Sequence, residues 1–205
     1  MNINRFSLFI VPSLLCGHAN VMHAQAEKGE QKKNVLFLIM DDMRTELNCY
    51  GAKYMKTPNM DALASQGVMF ENAYCNVPVS GASRASLFSG LRPGQTRFWD
   101  VNAEIDREAP GTVTLPQYFR ENGYVTISNS KVIHGKNDAK ERSWTEVWMP
   151  EGKSETWRDY LGDENLSVEK QRGGPEPFEC LDVADNAYFD GKTADKTMED
   201  LRRLK

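Results

Sequence analysis

Histidine is scarce in this chain of 205 residues: the three are His18, His23 and His134, and none follows. Residues 135–205 therefore offer no imidazole as acid, base or metal ligand. Cysteine is nearly as sparse. Cys16, Cys49, Cys75 and Cys180 are too few for a disulfide scaffold, and their spacing is not that of a zinc site. Positive charge is not in surplus. Lys and Arg number 25 against 29 Asp and Glu, a net charge of −4, which leaves no basic footprint and argues against nucleic acid as a partner. No apolar run reaches the ~20 residues that span a bilayer, and no repeat or low-complexity tract stands out. What remains is an ordinary globular mix, 40% hydrophobic and 26% charged, long enough for one domain with a core.

The N-terminus has the three parts of an export signal in order. Arg5 supplies positive charge, residues 6–16 are mostly apolar with Pro12 interrupting them, and Ala24-Gln25-Ala26 is a small-x-small cleavage site. Residues 1–26 read as a signal peptide and 27–33 as a polar linker. The mature chain is expected in the periplasm or outside the cell, with no transmembrane segment after cleavage. Cys49, Cys75 and Cys180 then remain, make at most one bridge, and read as structural thiols.

Residues 35–40, Val-Leu-Phe-Leu-Ile-Met, are continuously apolar. That predicts a strand buried on both faces, as in a parallel sheet. Thr57 and Pro58 predict a helix start, with Met60, Leu63 and Ala64 on its apolar face and Gly67 as its stop. Residues 68–74 suit a short strand, and a helix is expected at or just after Ser80. Residues 115–121 predict a helix ended by Asn122-Gly123, with Leu115, Tyr118 and Phe119 on one face. A strand over 124–127 follows. Residues 136–180 read as a long irregular excursion and 194–205 as an amphipathic helix. Alternating strands and helices predict an α/β fold with a largely parallel sheet.

Three groups of residues carry candidate chemistry. Asp41 and Asp42 end the first apolar run, where ligands bind in open α/β sheets. Paired carboxylates suit a hard cation, though they also open solvated loops. Ser80 suits a plain helix N-cap. Arg84, one helical turn on, can lie beside whatever Ser80 carries, and the small Gly81, Ala82 and Ser83 let backbone approach a ligand. An unmodified serine needs activation, and no Gly-x-Ser-x-Gly elbow frames this one. Lys131 and His134 follow the strand at 124–127; one is a point charge and the other a proton carrier, or they are a surface lysine and a satisfied histidine.

The segment Ser80-Gly81-Ala82-Ser83-Arg84-Ala85-Ser86-Leu87-Phe88-Ser89-Gly90 resembles the signature of type I, formylglycine-dependent sulfatases. Asp41-Asp42, Arg44, Cys49 and Tyr50-Gly51 look like that family's first metal-binding segment, and Thr57-Pro58-Asn59-Met60-Asp61 like the helix after it. Thr114-Leu115-Pro116-Gln117-Tyr118-Phe119 and Ser130-Lys131-Val132-Ile133-His134 look most like the iduronate-2-sulfatase-like subgroup. The resemblance runs from Asn34 to His134 and thinly beyond. It implies an alkaline-phosphatase-like fold. It implies formylglycine made from Ser80 and a Ca²⁺ ion bound by Asp41, Asp42 and the modified Ser80. Arg84 would hold the formylglycine hydrate, Lys131 would bind sulfate or the hydrate, and His134 would assist proton transfer. The implied substrate is a sulfated glycan, in particular 2-sulfated uronic acids of glycosaminoglycans.

Serine at position 80, where cysteine is commoner, implies an anaerobic radical sulfatase-maturing enzyme as partner. Ala82 stands where proline is commoner, and Ser130 where glycine is usual. The family's later metal and sulfate ligands have no match in residues 135–205. Residues 34–205 are therefore expected to be the N-terminal part of a catalytic domain, with little turnover alone. Two alternatives stand beside a working sulfatase: a non-catalytic truncated remnant, and a phosphonate or phosphate ester hydrolase of the same superfamily.

Overall fold

The computed structural model describes residues 32–152, 158–171, 174–176 and 178–205. The signal peptide and most of the linker lie outside these. The chain divides into two units, Met1–Leu38 and Ile39–Lys205. In the first, residues 32–38 carry no regular structure.

The strand expected at 35–40 does not form. Val35, Leu36, Phe37 and Leu38 are each more than half exposed, and Met40 is exposed as well. Continuous apolarity marks a segment that could be buried on both faces. It becomes a strand only where a neighbour completes its backbone hydrogen bonds, and the sheet of this molecule forms elsewhere. Residues 68–74 likewise form no strand, and Val68, Phe70 and Tyr74 are largely exposed.

A single 3₁₀ turn, Asn48–Tyr50, leads into helix α1, Pro58–Gln66. Asp61 in the first turn of α1 holds the two together. Its carboxylate accepts from Asn48 Nδ2 and Cys49 N at 2.9 Å and from the Thr57 hydroxyl at 3.0 Å. Thr57 occupies the expected N-cap position, but its hydroxyl serves Asp61 and Asn48 rather than an amide of its own helix. The expected apolar face of α1 is little used, with Leu63 exposed.

Helix α2 spans Ser80–Ser89 and ends at Gly90, whose φ of 69° is a left-handed C-cap. Ala82, Ala85 and Phe88 recur every third residue, so they share one face. They pack with Phe98, Ala103, Ile105 and Ala109 in the main apolar core, and Ile39, Val77, Leu91, Val132 and Ile133 close over it.

The short helix α3, Ile105–Glu108, leads to α4, Leu115–Glu121. The α4 bounds match the sequence expectation because the signals are local. Thr114 and Gln117 form a capping box, Pro116 sits in the first turn, and Asn122 ends the helix. Its expected apolar face is open, with Leu115 and Tyr118 exposed.

Strand β1, Ile127–Asn129, starts later than expected, and the excursion expected over 136–180 contains its partner. After helix α5, Lys140–Ser143, strand β2, Glu146–Trp148, pairs with β1 in parallel, Ile127 opposite Glu146 and Asn129 opposite Trp148. A polar seam joins α4 to this region. The Thr114 and Ser143 hydroxyls, both fully buried, bond at 2.7 Å, and the Thr126 hydroxyl donates to Ser143 O at 2.9 Å.

Helices α3 and α5 cap each other. The Asp138 carboxylate accepts from Ile105 N and Asp106 N at 2.8 and 2.9 Å, while Asp106 accepts from Ala139 N at 2.8 Å and from Arg142.

Helix α6, Asp163–Val168, precedes helix α7, Phe189–Arg203, which begins earlier than the expected residue 194. Polar pins hold α7 to the sheet. Asp200 accepts from Asn129 at 3.1 Å, and Arg203 pairs with Glu146 at 2.8 Å. Cys49, Cys75 and Cys180 are free thiols, the last two exposed. No helix among the described residues is long and apolar enough to cross a membrane.

Candidate active site

Ser80 opens helix α2, following Val79 in extended conformation. No side chain caps the helix start, so its first amides are not met from within it. Gly81 and Ala82, expected to admit a ligand, face protein instead. Both are buried, Ala82 within the core. A Cβ on Gly81 would stand 2.0 Å from the Val101 carbonyl oxygen, so a neighbouring backbone requires the glycine.

Strand β1 delivers the other half of the site. Just beyond it, Ser130 takes a left-handed φ of 64° and donates its amide to Trp148 O at 2.9 Å. Glycine is at ease in such backbone, which is the physical content of the glycine usual at this position. The turn brings His134 Nδ1 to 3.3 Å from Ser80 Oγ. With Nδ1 unprotonated the hydroxyl donates; in the other tautomer it accepts.

Arg84 ties the two halves together. Its guanidinium donates to Lys131 O at 3.1 Å, to Val132 O at 2.7 Å and to Asp41 Oδ1 at 3.2 Å. Lys131 Nζ bonds the other Asp41 oxygen. Arg84 itself is buried, while Asp41 and Lys131 are only partly covered. The Arg84 guanidinium thus orders the loop behind Ser80, and no hydrogen bond from it to Ser80 is seen.

The charges tune one another. Burial works to raise the Asp41 carboxyl, but the hydrogen bond and charge of Lys131 and those of Arg84 outweigh it and hold the group below its ordinary range. His134 is lowered by burial first and then by the charges of Lys131 and Arg84, against the opposing pull of Asp41. A neutral imidazole within reach of a hydroxyl is a ready proton acceptor.

The fold therefore gathers Asp41, Ser80, Arg84, Lys131 and His134 across more than ninety residues of sequence. Asp42 is adjacent, exposed and in left-handed backbone at φ 51°, without a hydrogen bond or ion pair to the others among the described residues. Asp41 and Asp42 are hard oxygen donors of the kind Ca²⁺ takes, but that ion needs six to eight oxygens. Both Asp41 oxygens meet cationic side chains. Among the described residues no group of three or more His, Cys, Asp or Glu gathers to hold a metal. The donors present fit part of such a site and not a whole one. Residues 99–104 carry no sequence signal for the site, yet their Val101 and Glu104 flank Gly81 and Gly135.

A family model described as Sulfatase matches residues 33–203. Human iduronate 2-sulfatase is 33% identical over 193 residues, covering 88% of this chain and 34% of that protein. Mouse iduronate 2-sulfatase is 44% identical over 111 residues, 54% of this chain and 20% of its own. An N-acetylglucosamine-6-O-sulfatase of Bacteroides thetaiotaomicron is 33% identical over 110 residues, 53% and 19% respectively. The chain spans about a third or less of the length of these relatives. The parallel β1–β2 pair with flanking helices agrees with the alkaline-phosphatase-like α/β fold of that family. Matched over nearly all its described length, with a serine and a histidine brought together from its two strongest motifs, the chain belongs to the sulfatase family of sulfuric ester hydrolases.

Proposed function

We propose that this chain is the N-terminal part of an exported sulfatase that removes sulfate from sulfated carbohydrates, in particular 2-sulfated uronic acids of glycosaminoglycans. The observation that carries the reading is the 3.3 Å approach of His134 Nδ1 to Ser80 Oγ, backed by Arg84 and Lys131. The subgroup likeness to iduronate 2-sulfatase supports the substrate class.

Oxidised to formylglycine by a radical maturing enzyme, position 80 would supply a hydrated aldehyde as the nucleophile toward sulfur. His134 would accept or return the proton of a hydroxyl on residue 80. Lys131, partly exposed, would offer positive charge to a sulfate oxygen. Arg84 would keep the 131–134 loop in register with the start of α2. Asp41, Asp42 and the modified residue 80 would contribute three donors toward a Ca²⁺ ion, and no step is assigned to that ion.

The test uses the full-length protein of which this chain is part, co-expressed with a maturing enzyme. Peptide mass analysis should show the Ser80 peptide lighter by two hydrogens. A 2-sulfated disaccharide should be desulfated, and Ser80→Ala should abolish turnover. Equal activity in Ser80→Ala would sink the mechanism. Faster turnover of an aryl phosphonate than of the sulfate ester would shift the reading to a phosphonate hydrolase.

A further inference from the structure

The turn over residues 99–104 lies against Gly81 and beside Gly135, the neighbours in sequence of Ser80 and His134. A Cβ on Gly81, next to Ser80, would stand 2.0 Å from Val101 O. A Cβ on Gly135, next to His134, would stand 3.5 Å from Glu104 Cγ and Oε1. The turn therefore forms a wall behind the two glycines that adjoin the pair.

That wall is anchored at both ends. Phe98, Ala103 and Ile105 are buried in the core. Phe98 N donates to the Glu108 carboxylate, and Asn102 N to Asp100 Oδ1 at 2.8 Å. Arg107 donates to Asn102 O and to Glu104 at 2.9 Å. Between these anchors the chain holds out Trp99, 72% exposed, and Val101, 45% exposed. An indole left in water on a backbone held this firmly forgoes a large apolar burial. Such a side chain suits a ligand with an apolar face and polar edges, and binding loses little entropy because the turn is already ordered. A sugar ring has that character: its C–H face stacks on an aromatic plane while its hydroxyls stay wet.

We infer that Trp99 is a specificity residue, a stacking platform for a sugar ring of the sulfated substrate whose sulfate is addressed at Ser80 and His134. This rests on the sulfatase reading above.

The experiment compares full-length matured wild type with Trp99→Ala and Trp99→Phe. Three quantities are read: KM and kcat for a 2-sulfated disaccharide, and the inhibition constant of inorganic sulfate, which has no ring to stack. Trp99→Ala should raise KM about fivefold to tenfold, leave kcat within about twofold and leave sulfate inhibition unchanged, and Trp99→Phe should restore most of the loss. An unchanged KM in Trp99→Ala overturns the platform while leaving the sulfatase reading intact. Parallel shifts in KM and sulfate inhibition also overturn it, because they mark a disturbance of the whole site. Failure of Trp99→Ala to fold overturns it too, since it would show the indole covered in the full protein. Absence of sulfate-ester turnover in wild type brings down both readings together.

Discussion

Arg84 Nη2 lies 3.2 Å from Asp41 Oδ1, joining a buried guanidinium on helix α2 to a partly exposed carboxylate 43 residues earlier. The same side chain gives its other amine to two carbonyls 47 and 48 residues later. One residue thus connects the three segments of the candidate site.

Arg84→Ala leaves the Lys131 and Val132 carbonyls without that donor, and Asp41 with one cation fewer. Stability should fall by about 2 kcal/mol, read as a lower urea midpoint at unchanged slope. Arg84→Lys should recover only part, because a point-like ammonium cannot serve two carbonyls and a carboxylate in one plane. Full recovery by lysine would show that charge alone matters here.

Gly81→Ala forces a methyl group onto the Val101 carbonyl, where it would stand 2.0 Å from the oxygen. Both partners are backbone, so relief requires moving the start of α2 or the turn opposite. The expected cost is about 1–3 kcal/mol, with a lower melting temperature. A melting curve like that of the parent would mean the two backbones do not touch in solution.

Ser130→Gly removes a side chain from left-handed backbone at φ 64°. Relief of that conformation is worth about 1–2 kcal/mol, and the freer unfolded chain takes back about 0.4–1. The variant should be more stable by roughly 0.5–1 kcal/mol, seen as a higher denaturant midpoint. A lower midpoint would place Ser130 in ordinary backbone.

Asp200 supplies a pH signature. Burial would raise its carboxyl, but bonds from Lys196, Asn129 and Arg203 with the charge of Lys196 outweigh it and bring it from 3.8 to about 2. A depressed acid stabilises the fold fully above its unfolded value and loses that contribution as pH falls through its folded value. The melting-temperature gap between wild type and Asp200→Asn should be constant above about pH 4 and close between about pH 4 and 2. A gap independent of pH down to 2 would contradict this.

Helices whose signals are local were legible in the sequence. Thr114, Pro116 and Asn122 mark α4 at its observed bounds, and Thr57, Pro58 and Gly67 mark α1. Helix α7 starts earlier than its apolar pattern predicts because the group meeting its first amide is distant in sequence: Phe189 N donates to the Asp159 carboxylate. Strands were harder still. Residues 35–40 have the composition of a buried strand, but pairing belongs to two segments at once, and the pair that forms is Ile127–Asn129 with Glu146–Trp148. At the site, the one-turn spacing of Ser80 and Arg84 was readable, and the likeness to sulfatases pointed to Lys131 and His134. The reach of Arg84 to the carbonyls of residues 131 and 132 was not, because carbonyls have no sequence signature. In sequence Gly81 suits the approach of a ligand, and in the fold it makes room for the Val101 backbone, since a glycine does not disclose which side needs the room.

The exchange of carboxylates between Asp106 and Asp138 has a consequence for motion. Neither α3 nor α5, four residues each, is long enough to persist alone. Asp106 of α3 accepts from the Ala139 amide at the start of α5, and Asp138, just before α5, accepts from the first two amides of α3. Opening one removes the support of both, so they behave as a single cooperative unit in which the Ile105, Asp106 and Ala139 amides exchange with solvent deuterium at one common rate. That unit lies on either side of His134 in sequence, so its opening also loosens the downstream end of the loop that carries His134.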